Sequence, residues 1–289
     1  MDQKSKNKLI TFFVILCIFS GIFYFLIISS GSLMTNGGIY TLGLMWSPGI
    51  AAMITQLIFH KSLRGLGWKP GKFKYLAMAY VLPLIYCLVV YGITWITGLG
   101  IFPNAEFLST LQTSYGLSSE SGNLALAYYL PIMATLGVLS GVLSGLGEEI
   151  GWRGFLVPEL CKYMSFTKAM FLSGVIWTAW HMPLLFFADY SLPGVPKVYG
   201  AFMFSMMVVG ISFAFGWLRL KSGSLWPAAL LHASHNLFIQ NVFTPLTEQK
   251  QITAYIIDEF GVGLAIMGIL VGLYFWRKRD ELPILYEPA

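Results

Sequence analysis

Long parts of this chain carry no charge at all, and that restricts its fold more than any motif does. From Leu9 to Ser30 run about 22 uncharged, mostly apolar residues, enough to cross the roughly 30 Å hydrocarbon core of a bilayer as a helix. Further mostly apolar stretches, not all of them free of charge, follow at about Tyr40–His60, Tyr75–Thr97, Leu124–Leu146, Ala169–Phe187, Val198–Leu220 and Ile252–Trp276. One more opens at Leu225-Trp226-Pro227, with proline suited to a first helical turn, and runs to the polar loop at Thr244. Charged residues make up 11% of the chain, against about 25% in soluble domains. The expected fold is therefore all-α: one membrane domain over 1–289, a polytopic bundle of about eight transmembrane helices. The first stretch is longer than a signal-peptide core and reads as a retained helix.

The positive residues test this order. If the eight stretches alternate, 16 of the 18 Lys and Arg fall in loops on the side of the N terminus, and only Lys197 and Lys250 on the other. Lysine and arginine favour cytoplasmic loops, so both termini are expected to be cytoplasmic. The net charge of +5 is then topological, and nucleic acid is excluded as a partner. The densest basic loop, Lys61 to Lys74 around Trp68, suits an interface with anionic lipid. Cys17, Cys87 and Cys161 have neither disulfide nor zinc spacing and read as free thiols. The segment Gly98–Asn123, with Glu106 and Glu120, reads as a polar loop.

Against this background Ser144-Gly-Leu-Gly-Glu-Glu-Ile-Gly-Trp-Arg153 stands out. Ionisable groups at membrane depth are costly, and are usually paired and functional. Glu149 and Arg153 are four apart on one helix face, which suits an ion pair. Glu148 is rotated by about 100° and has no such partner, so it is the candidate reactive carboxylate; in a low-dielectric setting a carboxylate is a competent general base. Gly137, Gly141 and Gly145 precede it at intervals of four, a spacing that lets helices approach closely in lipid. Two further pairs lie four apart: Trp177 with His181, and His232 with Asn236. Singly, each histidine is more simply a packing residue, Trp177 a core aromatic and Asn236 interhelical glue. His235 reads as a neighbour of the site, His60 as solvated, and Glu159 with Lys162 as an exposed face. Together, two carboxylates, two imidazoles, an amide and a guanidinium drawn from three helices offer a base, a second proton handler and hydrogen-bond donors, the parts that amide hydrolysis needs.

In that order, Glu-Glu-x-x-x-Arg (148–153), aromatic-x-x-x-His (177–181) and His-x-x-x-Asn (232–236) resemble the three motifs of the CPBP (Abi) intramembrane endopeptidases. That family includes the Ras-converting CAAX prenyl protease and bacteriocin-processing or self-immunity proteins. The likeness covers roughly Leu124 to Asn241, and it departs from the family where Trp177 stands in place of the usual Phe. It implies that Glu148 and His181 activate a water, that His232 and Asn236 stabilise the oxyanion, and that Glu149 and Arg153 hold the first motif. The implied substrate is a membrane-associated peptide or protein, prenylated or not; the expected location is a bacterial plasma membrane, and the charge pattern places the site toward the cytoplasm. No cofactor is expected; the alternative is zinc on Glu148, His181 and His232, although His-Glu-x-x-His spacing is missing. A non-catalytic immunity or regulatory protein and a proton-coupled transporter remain as alternatives, and oligomeric state is open.

Overall fold

A computed structural model describes residues 2–118 and 121–283; Glu120 lies outside them. Of the described residues 78% are helical. Helix α1 (Gln3–Ser30) is capped by Asp2, whose carboxylate accepts from the Ser5 amide, and it ends at Gly31 in the left-handed conformation. Helices α2 (Ile39–His60) and α3 (Phe73–Ile96) follow. The segment read as a polar loop is partly structured. Strand β1 (Gly100–Ile101) leads to a short amphipathic helix α4 (Ala105–Ser114), started by the Asn104 side chain accepting from the Glu106 and Phe107 amides. Helix α5 runs without a break from Gly122 to Leu160, well past the expected end at Leu146. It widens to π-helical turns at Met133–Gly137 and Ile150–Leu156. Helix α6 (Phe166–Phe187) is capped by Ser165, and α7 spans Lys197–Ser222. Helix α8 (Trp226–Asn236) has Pro227 in its first turn and continues as a π-helical stretch, Leu237–Phe243. Strand β2 (Glu248–Gln249) pairs antiparallel with β1, and α9 (Val262–Arg277) completes the bundle.

Contacts between connections show that the long helices alternate in direction. At one end, Lys8 pairs with Glu159, the Trp226 indole donates to the Trp68 carbonyl and the Trp217 indole to the Lys278 carbonyl. At the other, β1 meets β2, Asp189 accepts from Ser32 Oγ and the Leu33 amide, and Tyr199 donates to the Tyr255 carbonyl. Among the described residues six helices are long and apolar enough to cross a membrane, counting α2 from Thr35; α8 with its π-helical extension and α9 are shorter. The outward faces are apolar, with Phe25, Ile96, Leu136 and Leu143 at least 65% exposed, as a lipid-facing surface requires. The protein is a multi-pass integral membrane protein.

The glycine stripe packs as its spacing suggests. Cβ atoms added at Gly137, Gly141 and Gly145 would stand 3.0–3.2 Å from Leu237, Ala233 and His232, so α5 lies directly on α8. A second face went unread in the sequence. A Cβ at Gly147 would sit 2.6 Å from the Trp46 Cα, and one at Gly151 2.4 Å from Pro48. Helix α5 is thus clamped between α8 and α2 where it carries Glu148. Two smaller expectations change. Glu159 is buried rather than on an exposed face, because Lys8 and Lys162 both reach it. Cys17 faces outward, whereas Cys87 and Cys161 are buried; all three are free thiols.

Candidate active site

The first motif builds two layers. In the lower one, Glu149 and Arg153 are fully buried and joined at 3.0 Å through Oε1 and NH1, as their spacing suggests. The guanidinium lies between two rings, 4.0 Å from the Trp177 centroid and 4.1 Å from that of Phe215, favourable because each ring face is electron-rich. Arg219 Nε donates to the Arg153 carbonyl at 3.0 Å. Glu149 Oε1 also accepts from His232 Nδ1 at 2.8 Å. A buried guanidinium is tolerated only with such compensation, so this layer is structural in character.

Glu148 sits above it, 2% exposed and, among the described residues, in no ion pair. Its Oε2 accepts from the Trp177 indole at 2.8 Å and more distantly from that of Trp152 at 3.4 Å. Trp177 therefore does more than fill the core: it supplies a donor that phenylalanine lacks. It also touches both imidazoles, with ring centroids 6.0 Å from His181 and 5.7 Å from His232. His181 Nδ1 donates to the Trp177 carbonyl at 2.9 Å. Carbonyl and carboxylate oxygens can only accept, so both histidines carry a proton on Nδ1, which leaves Nε2 of each for other partners.

Glu148, Trp177, His181, His232 and Asn236 all line one cavity of about 380 Å³. The three motifs thus meet around one space, Glu148 does not face lipid, and Asn236 is half-buried on the wall. His181, near the C-terminal end of α6, lines the same cavity because Glu148 itself lies twelve residues inside the extended α5. The wall holds groups the sequence reading did not single out. Glu259 is 3% exposed, accepts from Tyr190 at 2.7 Å and Gln240 at 2.9 Å, and lies 3.6 Å from His235 Nε2. His235 in turn is hydrogen-bonded to Tyr86. Glu259 and its neighbour Asp258 fell inside the stretch assigned to the eighth span, whose helix begins only at Val262; two acids in an apolar run were the available signal.

Among the described residues no three His, Cys, Asp or Glu side chains are grouped as a metal ion requires, and the side chains of Glu148, His181 and His232 as placed do not form such a group. The cavity also does not run toward the N-terminal side, where the site was expected to open. The buried Arg153 layer closes that direction, and the lining extends instead to Leu33, Met34 and Asp189.

Residues 130–238 match the sequence model of the type II CAAX prenyl endopeptidase Rce1-like family. Over 140 residues the chain is 30% identical to CAAX prenyl protease 2 of Methanococcus maripaludis, 47% of each chain being covered. The chain thus spans about half the length of that curated relative. The matched segment contains α5 from Leu130 onward, α6, α7 and α8 through Asn236, and so all three motifs and the side chains at the centre of the cavity. Over this segment the chain is similar to the Rce1-like family of CAAX prenyl endopeptidases.

Proposed function

We propose that this protein is an intramembrane endopeptidase that hydrolyses a peptide bond in a membrane-associated peptide or protein, using water and no metal. One observation carries the reading. A buried carboxylate that forms no ion pair among the described residues lines the same cavity as two imidazoles and an amide, inside the segment that matches a peptidase family. With Oε2 held by Trp177, Glu148 takes a proton from a water oriented with the help of His181 Nε2. The resulting hydroxide adds to the scissile carbonyl carbon. The oxyanion receives hydrogen bonds from the Asn236 amide and from His232 Nε2; for the latter to donate, the His232 ring must carry both protons, and Glu149 is the counter-ion of that form. The tetrahedral intermediate collapses as protonated Glu148 passes its proton to the leaving amine, so that water is divided between the two products. Each oxyanion donor is worth about 2.7–4 kcal/mol of barrier. In this reading α8 with its extension and α9 also cross the bilayer, giving eight spans with both termini on the cytoplasmic side of a plasma membrane.

The test is cleavage of a fluorogenic peptide library by purified protein and by Glu148→Ala. We expect Glu148→Ala to unfold at the wild-type temperature with turnover lowered at least about 100-fold, the scale of a general base. Wild-type turnover in purified Glu148→Ala removes the proposed base.

A further inference from the structure

The alternation of helices gives the bundle two ends, and the cavity belongs to one of them. The connections at the N-terminal end are 61–72, 161–165 and 223–225, and none of their residues lines the cavity. The opposite connections line it three times over: Leu33 and Met34 between α1 and α2, Asp189 to Leu192 between α6 and α7, and Asp258 to Phe260 before α9. Met34 is 72% exposed and Asp189 is exposed, so the cavity reaches the surface there. Asp189 also ties the rim together by accepting from Ser32 Oγ at 3.0 Å and the Leu33 amide at 2.9 Å. Toward the N-terminal end the space stops at Glu149, Arg153 and Phe215, each at most 1% exposed.

Charge orients these two ends in a membrane. Leaving aside the fully buried Arg153, the closed end carries 15 of the 18 Lys and Arg, and the open end only Lys197 and Lys250, a bias that places the closed end in the cytoplasm. We infer that the cavity is entered from the non-cytoplasmic face, and that its substrate is a peptide segment already translocated across, or emerging from, the outer side of the membrane. The part concerning substrate rests on the peptidase reading; the part concerning access does not. A lipid-modified tail held on the cytoplasmic leaflet would meet the closed end.

Thiol labelling tests the direction. In a Cys17→Ala background, Met45→Cys places a thiol on the cavity wall, Met34→Cys one at the exposed rim, and Lys69→Cys one in the basic loop at the opposite end. The probe is a permanently charged trimethylammonium thiosulfonate, which the bilayer excludes. In intact spheroplasts Met45→Cys and Met34→Cys should react at least about tenfold faster than in inverted vesicles, and Lys69→Cys should show the reverse, because crossing the bilayer is costly for a fixed charge. Labelling of Met34→Cys or Met45→Cys from the Lys69 face overturns the inference, as does a Met45→Cys thiol reached from neither face in a protein whose rim position still labels. A sided rim in a protein that cleaves no peptide would count against the peptidase reading alone.

Discussion

Adding one methyl group beside Glu148, at Gly147, tests whether the site depends on how closely α5 lies against α2. A Cβ there would stand 2.6 Å from the Trp46 Cα and 2.7 Å from the Met45 carbonyl oxygen. Ordinary contact begins near 3.4 Å, so the shortfall is about 0.8 Å against backbone atoms, and no rotamer change relieves it. Either the two helices part by most of an ångström or α5 rotates, and Glu148 is the next residue. Misplacement on that scale costs about 100-fold in rate where a base must meet a water and a carbonyl, while overpacking costs about 1–3 kcal/mol of stability. Gly147→Ala should therefore lower kcat for peptide cleavage by roughly 10- to 100-fold, with a clear drop in unfolding temperature in detergent. Gly92→Ala is the control: nothing lies within 4 Å of its added Cβ, and alanine favours a helix over glycine by up to about 1 kcal/mol, so activity should hold and stability should not fall. A Gly147→Ala protein with wild-type kcat and unfolding temperature would refute the argument that this contact positions the carboxylate.

Three further outcomes follow from the same geometry. Trp177→Phe keeps a ring over Arg153 and removes the indole donor to Glu148; a hydrogen bond to a charged group is worth about 1.5–3 kcal/mol, so kcat should fall roughly 10- to 100-fold with little change in KM, and an unchanged kcat would show that the bond does not position the base. Glu149→Gln leaves the fully buried Arg153 without its counter-ion, and thermal or denaturant unfolding should report a loss of about 3–5 kcal/mol, with a loss below 1 kcal/mol counting against the structural role given to this pair. Prolonged dialysis against a strong zinc chelator should leave peptide cleavage within about twofold of the untreated protein, since no ligand in the proposed mechanism depends on a metal; loss of activity that zinc restores would reinstate the metal alternative.

How far the sequence could lead is visible in particular residues. Spacing of four fixes which side chains share a face, so Glu149 with Arg153 and the stripe from Gly137 to Gly145 were legible, and the structure shows both. Uncharged length located the helices to within a few residues at most ends. It failed where no polarity marks a boundary: α5 continues to Leu160 because the turn after Arg153 stays buried, its basic residue already neutralised from within. The three π-helical stretches were also invisible. Two of them meet the motifs, one beginning at Ile150 inside Glu-Glu-x-x-x-Arg and one at Leu237 directly after Asn236, and a π turn leaves no mark in hydrophobic periodicity, although such turns often attend functional sites. The partners of a buried carboxylate are set by tertiary packing alone, so the indoles on Glu148 and the Tyr190–Gln240–His235 shell around Glu259 could not be read from spacing. The same reasoning explains the reversed opening. Depth along a single helix put Glu148 nearer the N-terminal side, but access depends on which end of the bundle is sealed. Here the seal is the Glu149–Arg153 pair from the very motif that carries Glu148, so the ion pair next to the candidate base also closes the cavity toward the N-terminal end of the bundle.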